Sequence, residues 1–251
     1  MAYFRSFPET TYKFGNEKFL TAIQDISAYV DLVDQLKDQV TSYEFYNIQP
    51  GDRPDNVSFS LYGTEAYYWT FYFMNDHLRR SGWPLSQVEL NDKLVKKYPN
   101  RTLTFKTIFS SNFKVGENVY GVTSTAGGVI VKRNLELGQL VVKPTNNKSF
   151  TVSELIQSNT GLDGNPDGSG KTVEQQVLDG SNTPEYLSAH HYEDTSGNHV
   201  DIDPTVGPGS SLVEVTYRQE YTRKNDSLKR IKFIKPNIVT EVVRKFEQEL
   251  K

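Results

Sequence analysis

The sequence contains no cysteine. Disulfides, thiolate metal sites and a cysteine nucleophile are therefore excluded. It also lacks a charge excess of either sign worth the name: 28 Lys and Arg stand against 31 Asp and Glu. Proteins that grip nucleic acid by its phosphates usually carry surplus cations, so nucleic acid is not an expected partner. No stretch approaches the roughly 18 apolar residues of a membrane-spanning helix, and no membrane association is expected. The opening residues, MAYFRSFPETTYKFGNEKFL, have neither the apolar core nor the small-residue cleavage site of a signal peptide. A soluble chain made in the cytoplasm is the expectation. No Gly-x-Ser-x-Gly elbow and no internal repeat is found. What the chain has in quantity is rings, 15 Tyr and 14 Phe among 251 residues. Aromatic side chains favour large contacts with one polar end.

Five segments are expected along the chain. Residues 1–44 read as a polar, aromatic arm followed by an amphipathic helix. Between Thr21 and Val40, the residues Ile23, Ile26, Val30, Val33, Leu36 and Val40 recur at three- and four-residue steps. Residues 45–100 hold a strand-turn-helix motif, a break at Gly82 and Pro84, and a short helix QVELNDKLVKKY stopped by Pro99. Residues 101–157 contain the β-branched runs LTFKTIF, ENVYGVTS, GGVIVKRN, GQLVVKP and KSFTVS. Short strands so closely spaced predict a small barrel or sandwich, with Gly127-Gly128 as a hairpin turn. Residues 158–210 read as a loop up to residue 184, then a hairpin around Ser196-Gly197-Asn198 and a linker PTVGPGSS. Residues 211–251 predict a strand through Ile231, Phe233 and Ile234 and a helix opened by Pro236. In that helix Ile238, Val242 and Phe246 form one stripe, widened by Val239, Val243 and Leu250.

The motif YNIQPGDRPDNVSFSLYG carries the most local detail. Tyr46 and Ile48 fit a half-buried strand. Gly51 suits a tight turn with positive φ, and Asp52 is placed to accept N–H groups at the start of the next helix. Pro54 suits the first helical turn. Val57 and Leu61 lie one turn apart, and Gly63 is a C-cap glycine. Thr64 then caps a second helix, with Glu65 in its first turn. In that helix Tyr67, Tyr68, Trp69, Phe71, Tyr72, Phe73 and Met74 fill all but one of the positions from 67 to 74. A helix that is apolar all round must be covered on more than one side. A module of about fifty residues has one small core, so the other side has to meet the rest of the chain or another protein.

Several motifs point toward chemistry and each has a plainer alternative. NPDGSGKT, Asn165 to Thr172, resembles a phosphate-binding loop, but Asn165 replaces its first glycine and no buried strand precedes it. Asp163, Asn165, Asp167, Gly168 and Glu174 fit a calcium-loop spacing, although the same residues serve any exposed turn. His190, His191 and His199 crowd one hairpin with Glu193, Asp194, Asp201 and Asp203. Strand neighbours point to opposite faces, so His191, Glu193 and a cross-strand His199 are the plausible zinc set, against a polar exposed hairpin. The basic residues Arg218, Arg223, Lys224, Lys229, Arg230, Lys232 and Lys235 are broken up by Glu220 and Asp226 and suit a solvated or partner-facing surface. No catalytic residue, metal site or cofactor is assigned.

The spacing of Tyr46, Gly51-Asp52, Tyr62-Gly63, Trp69 and Asn75 resembles a LysM motif. Arg53-Pro54 stands where that family has Thr-Leu, and no second strand is evident after Asn75. A wider pattern joins YGTEAYYWTFYFMND and GWPLS to the C-terminal NDSLKRIKFIKPNIVTEVVRKFEQEL. It resembles the gene-53-type baseplate wedge proteins of T-even-like contractile-tail phages, over residues 40–90 and 215–250. The resemblance implies a LysM-like fold used for protein contacts in a non-catalytic subunit of the virion tail baseplate. It implies partners among other wedge proteins, neighbouring wedges and the tail hub or sheath-initiating proteins, with neighbouring wedges clamped around the central hub. The expected fold class is α+β: a LysM-like βαα(β) unit with an N-terminal helix, a small all-β insertion and a C-terminal strand-helix segment. Contacts are expected from the N-terminal arm, from the ring-rich helix, from Trp83, and from Val242 and Phe246 of the last helix. The alternative is a peptidoglycan-binding LysM module, alone or within a cell-wall hydrolase.

Overall fold

Glycine and proline fix several element ends in the computed structural model, which describes residues 9–13, 15, 19–24, 36–107, 113–160 and 172–249. Strand β1 (Glu9–Tyr12) pairs antiparallel with β2 (Thr21–Gln24), and β3 (Tyr43–Asn47) leads into α1 (Pro54–Tyr62). A 3-10 turn at Glu65–Tyr67 precedes the short helices α2 (Trp69–Met74) and α3 (Asp76–Ser81), and α4 (Gln87–Lys97) follows. Then come β4 (Arg101–Thr104), β5 (Asn118–Gly121), β6 (Gly127–Asn134), β7 (Gln139–Pro144) and β8 (Leu155–Thr160). They are followed by β9 (Thr172–Val177), β10 (Asn182–Pro184), β11 (Ala189–Glu193), β12 (His199–Val200) and β13 (Val213–Thr216). The chain closes with α5 (Tyr217–Ser227), β14 (Arg230–Ile234) and α6 (Pro236–Glu249). This mixed α+β chain divides into two units, residues 1–87 with 224–251, and residues 88–223.

In the first unit, β3 and β14 form a two-stranded antiparallel sheet running from Tyr43↔Ile234 to Asn47↔Arg230. The strand that pairs with β3 thus comes from the far end of the sequence. Pro54 opens α1, and Gly63, at φ +72°, closes it by donating its N–H to Phe59 O at 2.9 Å. Thr64 Oγ1 accepts the Ala66 N–H at 3.2 Å, as a cap should. Three expectations need correction here. Asp52 caps no helix; the residue before α1 is Arg53. The turn at Gly51 instead brings the Asp52 carboxylate back to the Gln49 N–H at 2.8 Å and the Tyr46 hydroxyl at 2.9 Å. The ring-rich segment is not one α-helix either: Tyr67 ends a 3-10 turn and α2 begins at Trp69. Asn75, at φ −131°, then ends α2. Its carboxamide donates to Phe71 O at 2.8 Å and Lys232 O at 2.7 Å, and accepts the Lys232 N–H at 2.8 Å. Finally, the helix expected over Thr21–Val40 gives way to strand at 21–24, where Thr21 and Ile23 suit a two-residue repeat as well as a helical one. Residues 36–38 are helical, and 25–35 lie outside the described residues.

Two apolar clusters hold this unit together. Alternation along β14 feeds both: Ile231 and Phe233 join Ile48, Val57, Phe71 and Leu78, whereas Ile234 joins Trp69, Met74 and the α6 stripe Val239, Val242, Val243 and Phe246. The places where the chain leaves and re-enters the unit are clipped together. Buried Asn225 accepts the Leu85 N–H at 2.8 Å and donates to Leu85 O at 2.9 Å.

The second unit is built on one antiparallel sheet in the order β10-β4-β7-β6-β5-β8-β9. Laid flat, six strand spacings of about 4.8 Å would put its edge strands roughly 29 Å apart. Yet β9 and β10 are joined only by residues 178–181, a link that spans at most about 19 Å. The sheet must roll, in the manner of a barrel, and its inner face buries Leu103, Phe105, Val119, Ile130, Leu140 and Ile156. Residues 158–184, expected as a loop, thus contribute two strands. KSFTVS is not a strand; β8 begins at Leu155. Nor does Gly127-Gly128 form the turn, which lies at 122–126 with Thr125 at φ +54°. Gly128 sits inside β6, where a Cβ would stand 2.8 Å from Lys143 O. A three-stranded sheet, β12-β11-β13, leads to α5. Thr216 and Gln219 cap that helix reciprocally, side chain to backbone, at 3.2 and 2.8 Å.

Buried Glu154 ties the turn after β5 to the start of β8. It accepts the Thr123, Ser124 and Thr151 N–H groups and the Ser124 hydroxyl, at 2.5–3.1 Å. Burial raises the carboxyl's pKa, but these four donors outweigh it and hold it below the ordinary value of 4.5. A depressed pKa means the stabilisation is complete above the unfolded-state pKa and is lost as pH falls through the folded one. Glu154→Gln sets an amide donor against N–H donors and should cost about 1–3 kcal/mol at pH 7. In urea unfolding, the gap between wild type and variant should narrow below about pH 4.5; a gap independent of pH would contradict this assignment.

Candidate assembly surface

The ring-rich segment is sorted by depth. Trp69, Phe71 and Met74 are buried; Tyr67, Tyr68 and Phe73 are half-buried against the Trp69 cluster, and Tyr72 against the Phe71 cluster. Trp69 meets Phe246 at 5.0 Å and Phe73 at 5.3 Å between ring centroids, and Phe73 meets Phe246 at 5.1 Å. Tyr62 stacks on Phe71 at 5.9 Å and donates its hydroxyl to Ile234 O at 3.0 Å. Burial pushes the Tyr62 pKa well above the ordinary tyrosine value. Trp83 donates its indole N–H to Asp52 O at 2.7 Å and packs beside Phe71 and Tyr72. The second cover that these rings require is supplied by the chain's own α6 and β14. Trp69, Phe71, Val242 and Phe246 are therefore core residues rather than surface for a neighbour, and Gly51, Gly63 and Asn75 shape the backbone around them.

Sequence reasoning missed the rings that remain outside. Among the described residues the exposed aromatics are Tyr12, Phe19, Phe45 and Phe59, all in the first unit. No periodic signal marks them: Tyr12 and Phe45 sit on short strands, Phe59 on α1, and Phe19 outside any helix or strand. Phe45 belongs to a ladder of rings and cations across the outer face of the β3–β14 sheet. Arg230 lies 4.4 Å from its ring centroid, Tyr43 meets it edge-on at 5.7 Å, and Lys232 lies 4.3 Å from the Tyr43 ring. Lys37 and Arg79 continue the ladder and share Asp76, at 2.8 and 2.5 Å. Lys37 first, then Arg79, holds the Asp76 carboxyl below the usual range. Of the other basic residues expected as one surface, Arg223 pairs with Glu193 at 2.6 Å and Lys229 with Asp226 at 2.6 Å.

In the second unit the histidine hairpin forms as expected around residues 194–198. A bulge between Ala189 and His191 defeats the alternation rule, however, and brings His190 Nδ1 within 2.8 Å of His191 Nδ1. His191 is also 3.0 Å from Glu193, and its ring centroid is 4.9 Å from that of His199. Arg223 first, then His191, holds the Glu193 carboxylate below its ordinary range. Among the described residues no group of three or more His, Asp or Glu side chains is arranged to hold a metal ion. The calcium-loop and phosphate-loop spacings, Asp163 to Glu174 and Asn165 to Thr172, lie outside the described residues, Glu174 and Thr172 by their side chains. Two open hollows of ≈ 450 and ≈ 480 Å³ have neither carboxylate nor histidine in their linings. Tyr192, in the first of them, is pushed up to about 12 by burial and by Glu214. No helix among the described residues is long and apolar enough to cross a membrane.

Core and surface rings should respond differently to truncation. Trp69→Ala is expected to cost about 3–5 kcal/mol in urea unfolding, and Phe59→Ala to stay within about 0.5 kcal/mol. Equal losses at the two positions would contradict the sorting described above.

No curated protein matches the chain. The model of the family described as base plate wedge protein 53 matches residues 3–126. That span covers β1 to β5 and α1 to α4, and so reaches beyond residues 40–90 into the start of the rolled sheet. Over those residues, just under half of its length, the chain is similar to the base plate wedge protein 53 family, structural proteins of the phage tail baseplate.

Proposed function

We propose that the chain is a wedge subunit that joins neighbouring wedges around the central hub of a contractile tail, by protein contact and without catalysis. The observation that carries this reading is the placement of Tyr12, Phe19, Phe45 and Phe59, solvent-exposed and all within the family-matched residues 3–126. Aromatic side chains are enriched at protein interfaces. Burying such surface returns about 25 cal/mol per Å² of apolar area, less the cost of ordering both partners. Tyr67, Tyr68, Tyr72 and Phe73, half-buried, would sit beneath that contact and support it. Partners are the other wedge proteins and the hub or sheath-initiating proteins. The LysM-like arrangement of β3, α1, α2 and β14 serves here as a scaffold for these contacts.

Mass spectrometry of purified tails should find the chain in a fixed ratio to other wedge proteins, and the purified chain should stay in the supernatant of a peptidoglycan pull-down. A chain absent from tails, or one that sediments with peptidoglycan and is released by soluble glycan fragments, would overturn the reading in favour of a wall-binding module.

A further inference from the structure

The two edges of the β3–β14 sheet are treated unequally. Hydrogen bonds that flank the ladder, Lys235 N–H to Ser42 O at 3.0 Å and Ile48 N–H to Lys229 O at 2.9 Å, fix its phase. In an antiparallel pair, bonded and non-bonded residues alternate. Glu44 and Tyr46 therefore face β14, whereas the N–H and C=O groups of Tyr43 and Phe45 point away from it. On the far side of β14 the outward groups are taken. Lys232 gives its N–H to Asn75 and receives the Asn75 amide on its carbonyl, and Ile234 O receives the Tyr62 hydroxyl. Along β3 the outward groups of Tyr43 and Phe45, and the Asn47 N–H, meet no hydrogen-bonding partner among the described residues; only Asn47 O is occupied, by the Gln49 side chain at 2.9 Å. An unpaired edge is a template for another strand. Proteins usually blunt such edges with proline, lysine or a covering loop, and β3, with sequence YEFYN, carries neither proline nor lysine.

We infer that β3 receives an extended, acidic segment of a neighbouring baseplate protein as a third strand. This rests on the structural role proposed above and names the surface that performs it. The side chains beside the open edge decide the partner's chemistry. Phe45 is 53% exposed. Across the face that it shares with Tyr43 stand Arg230, Lys232, Lys37 and Arg79, with Asp76 as the carboxylate in that ladder. Arg230 has no acceptor among the described residues, and a guanidinium resting on a ring keeps its donors for a carboxylate. A chain with net charge −3 thus presents four cations against one carboxylate on that face of its open strand, while Glu44, the exposed acid of β3, stands on the opposite face. A second copy of this chain is disfavoured as the occupant, because pairing β3 with itself would bring two such cationic faces together.

The test compares amide exchange over residues 43–47 in the isolated chain and in intact tails, and follows incorporation of three variants into tails. Phe45→Pro removes an outward N–H and leaves the β14 ladder its bonds; Phe45→Thr removes the ring but keeps the N–H; Arg230→Glu reverses the charge. Segment 43–47 should gain protection in tails. Phe45→Pro and Arg230→Glu should each lower incorporation roughly tenfold at an unchanged thermal midpoint, with Phe45→Thr intermediate. If Phe45→Pro shifts the midpoint, the exchange comparison and Arg230→Glu decide. Wild-type chain present in tails, with segment 43–47 exchanging as fast as in isolation or with Phe45→Pro and Arg230→Glu incorporated normally, would sink the inference and leave the structural role standing. Concentration-dependent dimers abolished by Phe45→Pro would also overturn it, by naming the second copy. Absence of the wild-type chain from tails would remove the role itself and this inference with it.

Discussion

Phe246 packed against Trp69 and Phe73, with centroids 5.0 and 5.1 Å apart, is the contact on which the first unit depends. A segment with seven large apolar side chains between positions 67 and 74 cannot be sheltered by α1 and β3 alone. The shelter comes from residues 230–246, on the other side of the whole second unit. Such a long excursion is affordable because loop-closure entropy grows only logarithmically with length, and because Asn225 fastens the exit point to Leu85. The second unit has its own core, in Leu103, Phe105, Leu140 and their neighbours, and its own internal anchor in Glu154. An element with independent packing can interrupt another without borrowing from its core.

With its rings covered from within, the first unit is left with a surface defined by what α6 and β14 do not reach. Asn75 and Tyr62 finish one edge of the small sheet, and nothing among the described residues finishes the other. Phe45 and the cations around it therefore lie beside unsatisfied backbone, a combination suited to a partner that brings both a strand and negative charge. Of these features, β3 with Phe45, Lys37 and Arg79 lies within the family-matched residues 3–126, whereas β14 with Arg230 and Lys232 lies outside them.

The sequence was legible at most places where a residue acts within a turn of itself, Asp52 with its bond to the Gln49 N–H being an exception. Pro54, Gly63, Thr64 and Pro236 sit where their backbone chemistry demands, and the α6 stripe at Val239, Val242, Val243 and Phe246 faces the core as its spacing requires. The need for a second cover over Trp69 was also readable, since it follows from composition. Which polypeptide supplies that cover was not, because it depends on a contact with residue 246. Asn75 shows the same limit: its identity was visible, but its role lies in the backbone of Lys232. Gly128 was misread as a turn because close approach to Lys143 cannot be seen locally. The His190–His191 pairing was missed because a bulge suspends the two-residue repeat. Strands β9 and β10 were hidden for a related reason. They join a sheet already formed by β4 to β8, so partners rather than β-branched runs decide their state.

The dependence of the first unit on its C-terminal return can be measured with a single fluorophore. The chain has two tryptophans, and a Trp83→Phe background leaves Trp69 as the sole reporter. Deleting residues 236–251 in that background should shift Trp69 emission toward that of a solvated indole and abolish its near-ultraviolet dichroism. Emission and dichroism unchanged by the deletion would show that Trp69 is sheltered without α6, and would contradict the view that the chain's own end closes this fold.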